Sequence, residues 1–281
     1  MMLRFTVLSL AFSLAVPALA QPPAPAVPQF KWESGKVLTY RVVQTTIVKE
    51  TLLEEKTDKP ITTEARTGLT LVRKWTVKDV DKQGVATLEM SISEMKQEFR
   101  QPDGTTTTVD SANPADAKKM DAFLNKPIVT VRLDSQGKLV EVKDAKVGSA
   151  ARLQAELPFR LVLPNAAPEA GQTWDRPFAL KLDPPLGTGE SYDFTQKYTS
   201  KGTKDGYLIV GVETTLKAPP KATGDQVPLV PMLWTGAVSF NTVAGKYHAA
   251  RLTAKAELAN YQGEGTKYVY ESTYAEDCLD K

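Results

Sequence analysis

Apolar and polar residues alternate with a period of two along most of this chain. Five segments place an apolar side chain at every second position, namely 38–42, 69–77, 86–92, 129–133 and 250–258. Arg73 is the one charged residue among these positions. This periodicity is typical of antiparallel strands that bury one face and expose the other. The sequence therefore predicts a mainly β protein built of curved antiparallel sheet.

Short polar spacers separate the predicted strands. Asp-x-x-Gly occurs at 81–84 and again at 134–137, and Asp-Gly occurs at 103–104 and 205–206. Asp favours the first position of a type I turn, and Gly adopts the positive φ that lets the following strand return. These spacers therefore predict β-hairpins.

Two stretches have helical rather than strand periodicity. In 111–126, Asn113 can cap a helix that begins at Pro114. Three apolar side chains form a narrow stripe on that helix: Met120, Phe123 and Leu124. In 148–157, Ser149 can cap a second helix. One or two short helices are therefore expected beside the sheet.

The first thirty residues predict export. Arg4 precedes a short apolar run at 6–16, and an Ala-Leu-Ala triplet ending at Ala20 supplies the small-x-small pattern that signal peptidase recognises. We therefore expect a signal peptide at 1–20, followed by a Pro/Ala-rich tether at 21–30. Because roughly 20 apolar residues are needed to span a bilayer, no transmembrane anchor is expected after processing. The general secretory route would deliver the protein to the periplasm or the cell exterior.

The remaining residues, 31–281, are expected to form a single exported β-rich domain made of two related halves, 31–163 and 164–281. Each half begins with a Gly and a Trp a few residues apart: Trp32 and Gly35, then Gly171 and Trp174. The Pro/Ala-rich segment 164–171 marks the boundary between the halves.

Composition and charge exclude some classes of partner. The formal net charge is +2 at pH 7, and lysines are interspersed with acidic residues, so no basic patch is available for nucleic acid. The single cysteine, Cys278, cannot form an intrachain disulfide, so stability must come from the core and the sheet. We interpret Cys278 as an unreactive thiol in an acidic tail, with an intermolecular disulfide as the alternative.

The junction between the halves resembles a pattern found in one group of proteins. This pattern consists of Leu163-Pro164, a short spacer and Gly171-x-x-Trp174. The strand pair 131–142 fits the same group. The chain is in this respect similar to uncharacterised exported β-rich proteins of planctomycetes and related bacteria, a family with a domain of unknown function. The resemblance implies no assigned activity and no catalytic residues. More distantly, the expected fold is similar to that of periplasmic lipoprotein carriers.

The residue sets that carry common chemistries are missing. His248 is the only histidine, whereas imidazole metal sites usually need two or three, and its alternation with Ala250 favours a half-buried strand residue. Ser-x-x-Lys occurs at 93–96 and 135–138, but in predicted strand and turn rather than helix. Residues 79–84 make only part of a calcium loop. We therefore expect no cofactor, no metal and no enzyme activity, with a carboxylate-dependent hydrolase as the low-ranking alternative.

The leading functional hypothesis is a non-catalytic exported binding or scaffold protein. A concave β surface suits an apolar or amphipathic, lipid-like ligand. The residues expected to cap that ligand are Met120, Phe123 and Leu124. The alternative is a cell-surface structural module that docks an envelope protein through the charged hairpin 49–66. The candidate docking residues are Lys49, Glu54, Glu55, Lys56 and Arg66.

Overall fold

The computed structural model describes residues 27–280. The signal peptide expected at 1–20 and most of the expected tether lie outside the described residues. The described chain forms one large antiparallel sheet of 12 strands, which confirms the predicted fold class.

The first half of the chain supplies six strands in sequence. They are β1 (Val37–Leu53), β2 (Pro60–Val80), β3 (Ala86–Arg100), β4 (Thr106–Asp110), β5 (Val129–Leu133) and β6 (Leu139–Ala145). The second half supplies β7 (Thr173–Lys181), β8 (Ser191–Lys204), β9 (Tyr207–Leu216), β10 (Trp234–Asn241), β11 (Lys246–Ala259) and β12 (Lys267–Cys278).

The order across the sheet is β6-β5-β3-β2-β1-β12-β11-β10-β9-β8-β7, with β4 paired to the far end of β3. The first and last strands therefore meet in the middle, where Tyr40 lies opposite Cys278. The two halves form one continuous sheet whose open edges are β6 and β7. Their relatedness stays a prediction.

Within residues 27–280, three short helices accompany the sheet. They are α1 (Pro114–Lys119), α2 (Ala150–Glu156) and a 3-10 helix (Thr223–Met232). The expected caps are confirmed, because the Asn113 side chain accepts from the Ala115 amide and the Ser149 side chain accepts from the Arg152 amide. Helix α1 is shorter than the predicted 111–126. Asn125 has a positive φ and its amide donates to the Ile92 carbonyl, which folds the chain back onto β3.

The predicted Asp-x-x-Gly turns are also confirmed. The Asp81 carboxylate accepts from the amides of Gln83 and Val85, at 2.9 and 3.0 Å. Gly84 has φ +79°, which only glycine adopts without strain. Asp134 repeats this arrangement before β6.

The inner face of the sheet is covered by the chain's own residues. Helix α2 contacts both edge strands, β6 and β7, so the sheet must curve until its edges face each other across this helix. The segment that follows, residues 157–163, lies against the inner face, and we call it the plug. Six of its seven residues are buried, and all six are apolar: Leu157, Pro158, Phe159, Leu161, Val162 and Leu163.

Phe159 lies at the centre of an aromatic cluster. Its ring centroid is 5.6 to 5.7 Å from those of Tyr40, Trp75 and Tyr247, which come from three different strands. The Phe30 ring lies 5.6 Å from it on another side. The plug therefore joins both halves of the sheet into one core.

A buried ion pair explains why Arg73 interrupts an apolar face. The Arg73 Nε atom donates to Glu276 Oε1 at 2.8 Å, and Glu276 is completely buried. A second guanidinium nitrogen of Arg73 donates to the Pro158 carbonyl at 2.9 Å, and the Tyr274 hydroxyl donates to Glu276 at 2.9 Å. Because all these polar groups find partners, the pair is tolerated in the core and fixes the position of the plug.

We expect Phe159→Ala to lower the free energy of unfolding by about 3–5 kcal/mol, because it empties the centre of the aromatic cluster. Urea denaturation measures this loss. The matched control is Phe99→Ala, since Phe99 is 40% exposed on β3; its cost should stay below about 1 kcal/mol. Equal losses for the two variants would contradict the central role of the plug.

Buried tyrosines should make the fold sensitive to alkali. Burial raises the pKa of Tyr247 well above its usual value and raises that of Tyr198 to about 12. A tyrosine in the unfolded chain has a pKa of about 10, so Tyr247 and Tyr198 keep their hydroxyl protons to higher pH in the native state. This contribution to stability is complete below about pH 10 and is lost as pH rises toward the folded pKa values.

The Tyr247 hydroxyl has no hydrogen-bond partner among residues 27–280, whereas that of Tyr198 donates to Gln196 at 2.6 Å. We therefore expect Tyr247→Phe to keep or raise the stability at pH 7 and to reduce its loss between about pH 10 and 12. Tyr198→Phe should cost about 1 kcal/mol at pH 7. Chemical denaturation across this pH range tests both variants. If Tyr247→Phe lowers the stability at pH 7 as much as Tyr198→Phe does, the Tyr247 hydroxyl is not without a partner.

Candidate ligand-binding cavity

Helix α2 and the plug occupy the middle of the inner face and leave a cavity at each end of the helix. The cavity at the N-terminal end of α2 has a volume of about 540 Å³, and we call it the apolar cavity. The cavity at the C-terminal end measures about 440 Å³ and opens between the β5–β6 turn and the edge strand β7. We call it the edge cavity.

Four segments build the apolar cavity: the end of β7 with the loop after it, the 3-10 helix, the beginning of α2, and Tyr268 of β12. The apolar side chains that line it include Leu180, Leu182, Leu186, Val227, Pro231 and Met232. Leu180, Leu182 and Met232 also belong to a buried cluster with Phe194 and Leu229, so the floor is firmly packed. Leu186 is 55% exposed at the surface of the same cavity. The arrangement gives an apolar interior that is open to solvent.

Positive charges lie beside the apolar interior. Arg152 and Lys181 line the apolar cavity together with one carboxylate, Asp183, which gives a net charge of +1, and all three are exposed. Arg152 pairs with Glu156 at 2.8 Å, and Lys181 pairs with Asp183 at 3.7 Å. Exposed pairs of this kind are weak, so either cation can exchange its partner for a charged group of a ligand.

The 3-10 helix owes its form to two prolines. Pro228 and Pro231 have no amide hydrogen and a fixed φ, so a regular α-helix cannot form there. The helix buries Leu229 and Val230 and turns Val227 and Pro231 toward the apolar cavity. Sequence reasoning missed this element, because two prolines in ten residues indicate a loop rather than a helix.

Arg176 holds α2 in place between the two cavities. From β7 its guanidinium donates to the carbonyls of Gln154 and Ala155, the former at 3.0 Å, and to the Gln196 side chain at 3.1 Å. These carbonyls belong to the last turn of α2. Carbonyls at the end of a helix have no amide partners within that helix. A cation at this end also interacts favourably with the helix dipole. Burial lowers the pKa of Arg176, but the group stays charged near neutral pH.

The stripe predicted to cap a ligand lies elsewhere. Met120 is 3% exposed, and Phe123 and Leu124 are half-buried against β3, where Leu124 bridges to Ile92. None of the three lines the apolar cavity or the edge cavity. Their capping role stays a prediction.

The residues predicted for docking lie on an exposed hairpin. Lys49 in β1 pairs with Glu64 in β2 at 3.0 Å, and Glu54, Glu55 and Lys56 lie in the exposed turn between these strands. Arg66 is exposed on β2. The hairpin therefore projects its charges into solvent, and its role in docking stays a prediction.

No group of three or more His, Cys, Asp or Glu side chains within residues 27–280 is arranged to hold a metal ion. In the same residues no helix is long and apolar enough to cross a membrane. Cys278 is a half-buried free thiol, and burial raises its pKa. A raised pKa lowers the fraction of reactive thiolate.

Comparison with known proteins gives a similarity of fold alone. No protein-family model matches the chain, and no curated protein sequence matches it. The resemblance to exported planctomycete proteins therefore gains no support. A solved structure described as lipid–protein interactions in lipovitellin is similar to this chain with a TM-score of 0.50 and 14% sequence identity. The match covers 89% of this chain and 26% of the lipovitellin chain, so this chain corresponds to about a quarter of that protein.

A second solved structure, DynF from the dynemicin biosynthesis pathway of Micromonospora chersina, matches 95% of this chain at 7% identity. Its TM-score is 0.20, so the match supports no statement about this fold.

We expect Arg176→Met to lower the free energy of unfolding by about 2–3 kcal/mol, because it leaves the carbonyls at the end of α2 without a charged donor. Hydrogen exchange of the amides in 150–156 should accelerate in this variant. Arg152→Met is the control, since Arg152 makes only an exposed pair with Glu156 on the same helix, worth about 0.3–0.5 kcal/mol. If both variants protect these amides equally, Arg176 does not hold the helix.

Proposed function

We propose that this chain is an exported, non-catalytic binding protein whose apolar cavity holds the tail of an amphipathic, lipid-like ligand. The observation that carries the proposal is the apolar cavity itself. Its volume of about 540 Å³ lies within the range of small-molecule sites, and its lining is mostly apolar with a few polar groups near the surface.

The apolar lining favours an alkyl chain over a polar ligand. Each methylene group that leaves water for this cavity gains about 0.8 kcal/mol, so a tail of about eight methylenes gains about 6 kcal/mol before the cost of ordering is subtracted. A polar ligand would find few partners on Leu182, Val227 or Pro231. Hydrophobic burial therefore supplies the affinity, and polar contacts fix the orientation.

The charges beside the cavity favour an anionic head group. Arg152 and Lys181 lie on the two sides from which α2 and β7 approach the cavity. A carboxylate or phosphate at the surface would contact these cations while its tail enters between Leu186 and Met232. A fatty acid satisfies both requirements.

The fold similarity to lipovitellin supports the choice of a lipid. That structure is described as lipid–protein interactions in lipovitellin, and the match includes most of this chain. In this chain, however, the plug occupies the middle of the inner face. The proposed ligand therefore binds beside α2 rather than in the middle of the sheet.

Export and the absence of catalysis belong to the same proposal. The sequence of the first 20 residues supports secretion, and the sequence contains a single histidine and no recognised nucleophile motif. A binding protein outside the cytoplasm would meet lipids of the envelope.

Titration with the fluorescent polyene fatty acid cis-parinaric acid tests the proposal. We expect saturable binding to the wild type. Val227→Trp should weaken binding at least tenfold, because the indole fills the cavity, and Leu186→Glu should weaken it because it places a negative charge beside an anionic ligand. Val243→Glu is the matched control, since Val243 is 74% exposed in the turn after β10.

Circular dichroism establishes that each variant is folded. The proposal is wrong if the wild type does not bind the probe, or if folded Val227→Trp and Leu186→Glu bind it as tightly as Val243→Glu does.

A further inference from the structure

The outer face of the sheet has a cavity of its own across β1, β2, β3 and β4. Its volume is about 480 Å³, and it lies on the opposite face from the plug, because its floor includes Val43 and Thr45 rather than the inward Val42. The apolar cavity and this one share no lining residue. We call it the outer cavity.

Two arginines lie side by side at the outer cavity, on neighbouring strands. Arg66 of β2 lies directly opposite Arg100 of β3, and both line the cavity. Like charges at directly opposed positions of neighbouring strands destabilise a sheet. Within residues 27–280 neither guanidinium has an ion pair or a side-chain hydrogen bond. The third cation, Lys96, is already paired with Glu98 at 3.0 Å. The outer cavity therefore has a net charge of +2.

A glycine opens the floor of the same cavity. Gly68 lies in the middle of β2, where glycine is unfavourable because it loses more backbone freedom than other residues and packs no side chain. A Cβ atom at Gly68 would meet only Glu98 atoms, at 3.8 and 3.9 Å, which is ordinary contact. Packing therefore does not require glycine here. Strand glycines mark bulges, tight bends or sites where a ligand or another backbone approaches closely, and no bulge in the pairing of β2 with β1 or β3 falls at Gly68.

We propose that the outer cavity binds a phosphate group, carried by a small molecule or by a lipid head. A guanidinium offers a planar pair of donors that matches two phosphate oxygens, and Arg66 and Arg100 present two such pairs from neighbouring strands. The hydroxyls of Thr45, Thr70 and Thr106 line the cavity as further donors. Bound phosphate offsets the repulsion between the arginines, and the space over Gly68 admits the group that carries it.

Thermal unfolding in inorganic phosphate, against chloride at equal ionic strength, tests this site. We expect saturating phosphate to raise the Tm of the wild type by about 5 °C. Arg66→Gln should raise the Tm in chloride, because it removes the repulsion, and should lose most of the rise in phosphate. A variant that merely weakened the fold would not gain stability in chloride.

Gly68→Val is the second variant. Valine favours strands and fills the floor, so the Tm in chloride should rise while the response to phosphate disappears. Lys74→Gln, exposed elsewhere on the outer face of β2, is the control and should keep the full response. Loss of the response in Lys74→Gln, or an equal response in all four proteins, identifies an adventitious ion only and overturns the proposal.

The source of the phosphate is distinguished with two further probes. Glycerol 3-phosphate in solution reports a small-molecule ligand, and sedimentation with phosphatidylcholine vesicles that contain phosphatidic acid reports a lipid head. The site is supported if the wild type binds either probe and Gly68→Val does not. It is overturned if the wild type binds neither probe. Gly68→Val should still bind cis-parinaric acid, so the two proposals can fail separately.

Discussion

One constraint shapes this protein: a single sheet of 12 strands has two faces, and only one of them can remain in water. A β-sandwich solves this by packing two sheets together, and a closed barrel by packing a sheet against itself. Here the sheet curves but stays open, and the chain covers the inner face with a segment of its own. Phe159 lies among Tyr40, Trp75 and Tyr247 at the centre of that contact. The hydrophobic core is therefore a layer of sheet around a short irregular segment.

An irregular segment in a core raises the problem of backbone hydrogen bonds. A strand or helix satisfies its own carbonyls, whereas a plug must find donors in the protein around it. Arg73 donates to the Pro158 carbonyl, and the Trp174 indole donates to the Val162 carbonyl at 2.7 Å. Arg176 donates to the Gln154 carbonyl at the end of α2. Each charged donor is itself half-buried and needs a partner, which Glu276 provides for Arg73. The buried charges are thus a consequence of filling the sheet with irregular chain.

The features that sequence could predict are those set by local rules. Strand periodicity, the turns at Asp81 and Asp134 and the caps Asn113 and Ser149 each depend on residues within a few positions of one another, and the structure confirms them. Arg73 could be recognised in the sequence as the one charged residue in the apolar alternation. Its partner Glu276 could not, because it lies 203 positions away.

Other features depend on how distant segments meet. Alternation predicted that His248 shares a face with Ala250, but this was wrong. A β-bulge between β10 and β11 places Tyr247 inward instead, and half-buried His248 packs beside Tyr207. The plug gave no periodic signal, because its nearly continuous apolar sequence fits a buried strand or helix equally well. The cavities could not be predicted, since each is lined by segments that only the fold brings together.

Filling the middle of the inner face also decides where ligands can bind. A ligand at the centre would have to displace Phe159 from its aromatic cluster and break the hydrogen bond from Arg73 to the Pro158 carbonyl. The two proposed sites lie where α2 begins, on the inner face, and above Gly68, where a side chain is missing on the outer face. The inner site is apolar with cations beside it, and the outer site is cationic with hydroxyls around it. The two sites also use different strands, because the apolar cavity is lined by β7 and β12 and the outer cavity by β1, β2, β3 and β4, so no residue serves both.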